Sequence, residues 1–218
     1  MRQSQITETV ETLDSIDVSG QPFLHKAIVH LKSCWDQHQM VEDRNERYRD
    51  LLLALGESVF TYVNTGEIES AFVQLLPDVL LLSSSRFGFL AEVCYSSADR
   101  PYLQSHAVTN IYKPRYNHRD ILTNLQFHNL ETLNGAILTS RNPVLSNSPQ
   151  QDPRSGGVPF GHLKIDAFLG LPFLVGGELV GALALANCPD GYLETEIQFF
   201  SPLCIIGGLI ISDYRHKN

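Results

Sequence analysis

The stretch Ile165–Asn187, IDAFLGLPFLVGGELVGALALAN, restricts the fold more than any other part of the chain. Two apolar runs, Phe168–Val175 and Leu179–Ala186, are separated by Gly176, Gly177 and Glu178, a spacing that suits an antiparallel hairpin with glycine at positive φ. A buried helical hairpin is a poor alternative, because Gly170, Pro172, Gly176, Gly177 and Gly181 would break it. Leu183 and Leu185 point one way and Val180, Ala182, Ala184 and Ala186 the other. Both sets are apolar, so the hairpin is expected to be covered on both faces.

The segments before it read as helices. Residues 1–19 form an acidic, Thr- and Ser-rich stretch with too few apolar residues to bury a face, expected as a mobile tail. After Pro22, Leu24, Ile28, Leu31 and Trp35 recur at four, three and four, one stripe of a helix. A polar, charged stretch follows, with Asp43 and Arg47 four apart and Glu46 and Arg49 three apart, consistent with a solvated helical face. Leu51, Leu52, Leu55, Val59 and Tyr62 make a second stripe, stopped by Asn64, Thr65 and Gly66. One unbroken helix from Pro22 to Val63, about 40 residues, would be roughly 60 Å long. Its first half is therefore expected to pack on another chain or to fold back. A short helix from Glu67 to about Val79 comes next.

Strand signals then take over. Arg86–Tyr95 and Tyr102–Ile111 read as an antiparallel pair joined by the turn SSADRP, and a helix is expected from about Asp120 to Leu125 and a firmer one from Glu131 to Thr139. Val144–Ser146 is a short strand, and Ser148–His162, dense in Pro, Gly and Ser, is a long loop. After the hairpin, Thr195 and Gln198 give a capping-box pattern to a closing helix carrying Ile197, Phe200, Leu203, Ile206, Ile210 and Tyr214. Pro202 either kinks that helix or sits near enough to its start to be harmless. The order of elements is that of an α+β domain, a sheet with helices packed on a face. The expected organisation is a tail over 1–19, a helical extension over 20–47 and one domain over 48–218.

Composition narrows the function. A formal charge of −8 and a pI near 5.4 argue against nucleic acid as the main partner, because phosphate binding needs clustered Lys and Arg. Tyr112, Lys113, Arg115, Tyr116 and Arg119 in IYKPRYNHRD could stack on a nucleotide, but in an acidic chain they read as a solvated loop. Cys34, Cys94, Cys188 and Cys204 form no CxxC pair, so neither a zinc ribbon nor a disulfide framework is expected. His106, His118, His128 and His162 lack metal-site spacing, and surface or capping roles are expected for them. No apolar run reaches transmembrane length and the start of the chain has no signal-peptide core, so a cytoplasmic protein with no membrane partner is expected.

Several phrases, in this order and spacing, carry a family resemblance: SRFGFLAEV from Ser85, HAVTNI from His106, NLETLNGAILTSRNPVLSN from Asn129, DPRSGGVPFGH from Asp152, the hairpin, and PDGYLETEIQFFSPL from Pro189. Over about Tyr48 to Tyr214 the chain resembles GAF domains, in particular those of bacterial sensor kinases and cyclic-dinucleotide enzymes. The resemblance implies a central antiparallel sheet of five or six strands, the first and last helices on one face, and a pocket against the other. It also implies a homodimer joined through terminal helices that pass signals to an output protein. One departure is Leu193 where a polar cap is usual, which leaves Thr195 as the expected cap.

The candidate ligand residues lie along the long loop: Asn147, Asp152, Arg154, Gly156, Gly157 and His162. Arg154 suits an anion contact and the glycines a close backbone approach. The same residues also suit a structural lid, with Asp152, Arg154 and His162 tying the loop to the sheet. Leu24, Ile28, Leu31 and Trp35 are the candidate dimer stripe. The chromophore-binding relatives attach their pigment through a Cys usually followed by His, and no cysteine here has that neighbour. The expected function is non-catalytic sensing or regulation, with no metal and an unidentified small molecule as ligand. Two alternatives stand beside it. One is a thiol-dependent reductase like the free methionine sulfoxide reductases, using Cys94 and Cys188, and the other a ligand-free dimerisation module.

Overall fold

The computed structural model describes residues 21–39, 46–110, 121–157 and 163–218. The tail over 1–19 and the segment IYKPRYNHRD lie outside them. Helices α1 (Pro22–Gln39), α2 (Glu46–Thr65) and α3 (Ile68–Leu82) lead into strands β1 (Phe87–Tyr95), β2 (Pro101–Thr109), β3 (Ile121–Leu122) and β4 (Gln126–Phe127). Helix α4 (Leu133–Ser140), strands β5 (Val144–Ser146), β6 (Phe168–Val175) and β7 (Glu178–Ala186), and helices α5 (Thr195–Phe199) and α6 (Ser201–Lys217) follow.

The strands form one antiparallel sheet in the order β3-β2-β1-β7-β6-β5, with β4 also on β2. The two short pieces β3 and β4 bring the described strands to seven, and β3 lies where a helix from about Asp120 to Leu125 was expected. Backbone pairing decides there: Ser105 donates to the Leu125 carbonyl and accepts from Asn124 N–H, each at 2.8 Å, which draws this segment onto the sheet edge.

The hairpin β6–β7 forms as its punctuation requires. Gly176 and Gly177 sit at φ 60° and 86°, the paired positive values of a tight two-residue turn, and Val175 faces Glu178 across it. Leu169, Leu171, Phe173, Leu183 and Leu185 enter the helix-side core, while Phe168, Ala182 and Ala184 enter the core on the other face. Val180 is a correction, since it joins the helix side. A bulge at Phe173/Leu174 leaves Val180 unpaired, which shifts the alternation by one residue.

Terminal helices cover one face. Helix α6 packs on β6, β7 and α1, and α1 also packs on α2. The chain thus folds back on itself. Leu24, Ile28 and Leu31 are 0%, 5% and 3% exposed within this chain, so the stripe expected at a dimer interface is covered by the domain's own core. The side chain of Trp35 lies outside the described residues.

One end-of-helix expectation changes, and of the two readings of Pro202 the harmless one holds. Thr195 is the first residue of α5 rather than its cap, and the capping residue, Glu194, makes no side-chain cap hydrogen bond. Pro202 opens α6, where its missing N–H has no helical partner to lose. Arg47 also departs from the solvated face expected of it. Its Nη1 donates to Glu196 at 2.9 Å, its Nη2 pairs with the other carboxylate oxygen, and its Nε donates to the Leu82 carbonyl at 2.7 Å. With the guanidinium 3.9 Å above the Phe199 ring, Arg47 ties α2 to the end of α3 and to α5.

Candidate functional site

The second face of the sheet carries α4 and the loop after β5. Thr132 caps α4 by accepting from Gly135 N–H at 3.1 Å, and Arg141 closes it in the left-handed region at φ 55°. Ile137 lies on the bare backbone of Gly170, where a side chain would collide with it. Around that contact Phe89, Phe127, Leu133, Ala182 and Ala184 make an apolar layer, with the Phe89 and Phe127 rings stacked at 4.7 Å.

At the rim of this layer β5 is the edge strand, and the chain after it forms a shallow, open cleft of about 480 Å³ lined by Ser146, Asn147, Ser148, Gln151, Asp152, Pro153 and Arg154. Asp152 accepts from Arg154 Nε at 2.9 Å, Nη2 at 2.7 Å and backbone N–H at 3.0 Å. The hydrogen bonds from the Arg154 side chain hold the Asp152 carboxyl well below the usual carboxylate range, against the opposing effect of lost hydration. Arg154 Nη2 also donates to the Leu145 carbonyl at 3.0 Å, which covers the edge of β5.

The loop candidates therefore divide. Asn147, Asp152 and Arg154 line one cleft, but each also holds the fold. Asn147 binds the backbone of Tyr192 at both its N–H and its carbonyl. Gly156 packs directly on the Glu131 carbonyl, so its missing side chain serves loop packing there, and Gly157 takes φ 83°. His162 lies outside the described residues.

The cysteines test the reductase alternative. Phe87 of β1 pairs with Ala186 of β7, and Cys188 follows two residues later. Cys94 lies seven residues beyond Phe87 on β1, roughly 23 Å of strand away. The two thiols are thus at opposite ends of the ladder. Burial and the nearby Glu92 carboxylate push the Cys94 thiol up to about 11, and burial raises Cys34. Neither is a ready thiolate.

One cluster was not legible as a site in the sequence. His106, expected at the surface or in a cap, is 3% exposed on the helix side of the sheet. Its ring lies between Glu69 of α3 and Glu92 of β1, and Glu92 also receives Arg215 of α6. Burial pushes Glu92 up, but His106 and Arg215 outweigh it and its carboxyl is lowered. Among the described residues no three His, Cys, Asp or Glu side chains converge as a metal site.

A sheet with terminal helices on one face and a helix-and-loop layer with a cleft on the other is an α+β plan that regulatory domains and enzymes share. The chain belongs to the GAF domain family, whose family model matches residues 68–212. Solved structures agree in fold. The GAF domain of a phosphoenolpyruvate-protein phosphotransferase from Coxiella burnetii is 19% identical, with a TM-score of 0.61, covering 78% of this chain and 97% of that one. The corresponding Acinetobacter domain is 14% identical, with a TM-score of 0.61 over 81% and 98%. The free methionine-R-sulfoxide reductase from Neisseria meningitidis is 9% identical, with a TM-score of 0.57 over 81% and 96%. Among curated protein sequences none matches this chain significantly. No helix among the described residues is long and apolar enough to cross a membrane.

Proposed function

We propose that this chain is a non-catalytic sensory or regulatory GAF domain that takes a small molecule or a partner on the α4 face and relays its binding through the terminal helices. One observation carries the reading. Strands β6 and β7 are shared by both layers, with Phe168 and Ala184 against the α4 side and Leu171, Phe173 and Leu183 in the core beneath α6. Phe173 lies against Gly207 of α6, so a shift of these strands meets the closing helix directly. An occupant that prefers one strand position would bias the helix by its difference in affinity for the two arrangements.

The described thiols favour this over the reductase reading, because Cys94 and Cys188 are held apart by strand register. Binding in the cleft would use Ser146, Ser148 and Gln151 and the unshared edges of Asn147, Asp152 and Arg154. The proposed homodimer forms through the outer faces of α1 and α6, where Val29 and Ile205 are exposed, since Leu24, Ile28 and Leu31 are occupied. The α6 end would then report to an output protein.

Native mass spectrometry of the protein purified from its own host tests this. A dimer carrying a retained small molecule is the expected result. A monomer at micromolar concentration that carries nothing, and that shifts with no candidate metabolite, would overturn it.

A further inference from the structure

A bulge places the His106 cluster. Leu90 faces Ala107 and Ala91 faces Ser105, so His106 is the extra residue of β2 with no partner on β1. Such a residue re-aims its side chain. Here the ring turns to the helix side beside Ala107, edge-on to Phe72 of α3 and Tyr214 of α6, each at 6.1 Å. Nδ1 is 3.1 Å from Glu69 Oε1 and Nε2 is 3.4 Å from Glu92 Oε1. Glu92 Oε2 accepts from Arg215 Nε at 3.1 Å, and Arg215 Nη2 reaches the carbonyls of Val93 and, at 3.1 Å, Val180. A line of contacts thus runs from the first turn of α3 through the sheet to the last turn of α6.

A neutral imidazole has one N–H and one lone pair, whereas the protonated ring donates from both nitrogens. With a carboxylate at each nitrogen, only the protonated ring satisfies both. Nε2 is buried with no aligned hydrogen-bond partner, so a lone pair there would face the Glu92 oxygen without water between them. The other groups facing the ring fit this. Glu69 comes from the start of α3, Glu92 from β1, and Tyr214 and the Arg215 bound to Glu92 from α6. Two carboxylates meet one guanidinium, while Lys217 and Asp213 nearby pair with each other at 2.7 Å.

We propose that His106 is a proton-operated latch on the C-terminal turns of α6. Protonated, it holds Glu69 and Glu92 in place, and Glu92 holds Arg215. Deprotonated, it lets the Glu92 carboxylate turn away from the ring, and Arg215 is then held to the sheet only through the Val93 and Val180 carbonyls. The latched form carries the extra proton, so the latch is strongest on the acid side. It weakens as pH rises through the range of about 5 to 8 where histidines change charge. The cluster sits on β2 and the cleft follows β5, with β1, β7 and β6 between them, so the latch stands or falls independently of any ligand there.

Amide hydrogen exchange of residues 210–215, corrected for intrinsic rates, tests it between about pH 5.5 and 8.5. Protection should fall by about tenfold across that range. The fall should track the NMR titration of the His106 ring and be absent in His106→Gln. Protection that does not change with pH, or that changes equally in His106→Gln, would overturn the proposal. Glu69→Gln keeps the ring and removes one carboxylate, so its transition should move to lower pH. An unmoved midpoint in that variant would overturn the latch even if His106→Gln failed to fold.

Discussion

Asn147 holds the backbone of Tyr192 at both ends of the residue. Its side-chain carbonyl accepts the Tyr192 N–H at 2.8 Å and its amide donates to the Tyr192 carbonyl at 2.9 Å. This joins the end of the edge strand β5 to the turn before α5, across forty-five residues of sequence. Asn147→Ala should therefore cost about 1–2 kcal/mol, two partly buried hydrogen bonds, read as a lower urea midpoint. A residue serving only as a ligand contact would leave that midpoint unchanged.

Asp152 and Arg154 predict an acid response. The Asp152 carboxyl is lowered in the folded state, so its stabilisation is present above the ordinary carboxylate pKa and is lost as pH falls through the lowered value. Asp152→Asn should be less stable than the parent at neutral pH, and the two should converge in acid. Urea midpoints from pH 7 downward, which stay a constant distance apart, would show that the pair contributes nothing. Arg154 has a side chain 43% exposed, so solvent screening keeps the effect modest.

Gly181 is a packing position. An added Cβ would stand 2.6 Å from the Ala91 carbonyl and would also strike the end of Ile211. The carbonyl is backbone within the β1–β7 ladder and has little room to move. Gly181→Ala should destabilise by about 2 kcal/mol, measured by thermal or urea unfolding, as expected for overpacking.

The thiols predict slow alkylation. With its thiol raised to about 11, Cys94 should react with iodoacetamide at pH 8 at least about tenfold more slowly than an unperturbed cysteine. Cys94→Ser and Cys188→Ser should each leave the fold and any ligand binding intact. Fast labelling of both, with loss of a reductase turnover in either variant, would restore the enzymatic alternative.

Much of the fold was legible because its signals are local. The hairpin β6–β7, the strands near Phe87 and Pro101, helix α4 and the α2 stripe follow from apolar period and from Gly, Pro and Thr punctuation. The segment after Asp120 misled because its pairing with Ser105 comes from a strand formed earlier in the chain. The site was less legible. Asp152, Arg154 and Gly156 stood out by residue type, but type alone does not separate a ligand cradle from a clamp on the edge of β5.

Sequence alone determined most of the segments that become strands and helices, the one after Asp120 excepted, and that the hairpin must be covered on both faces, since these depend on periods of two and 3.6 within short windows. Tertiary structure decided which of their side chains meet. The bulge that turns His106 inward, the register that parts Cys94 from Cys188, and the reach of Arg47 to Glu196 each set one residue against another far along the chain. Such contacts are fixed by strand register and helix docking, and a shift of one residue in either would assign every one of them differently.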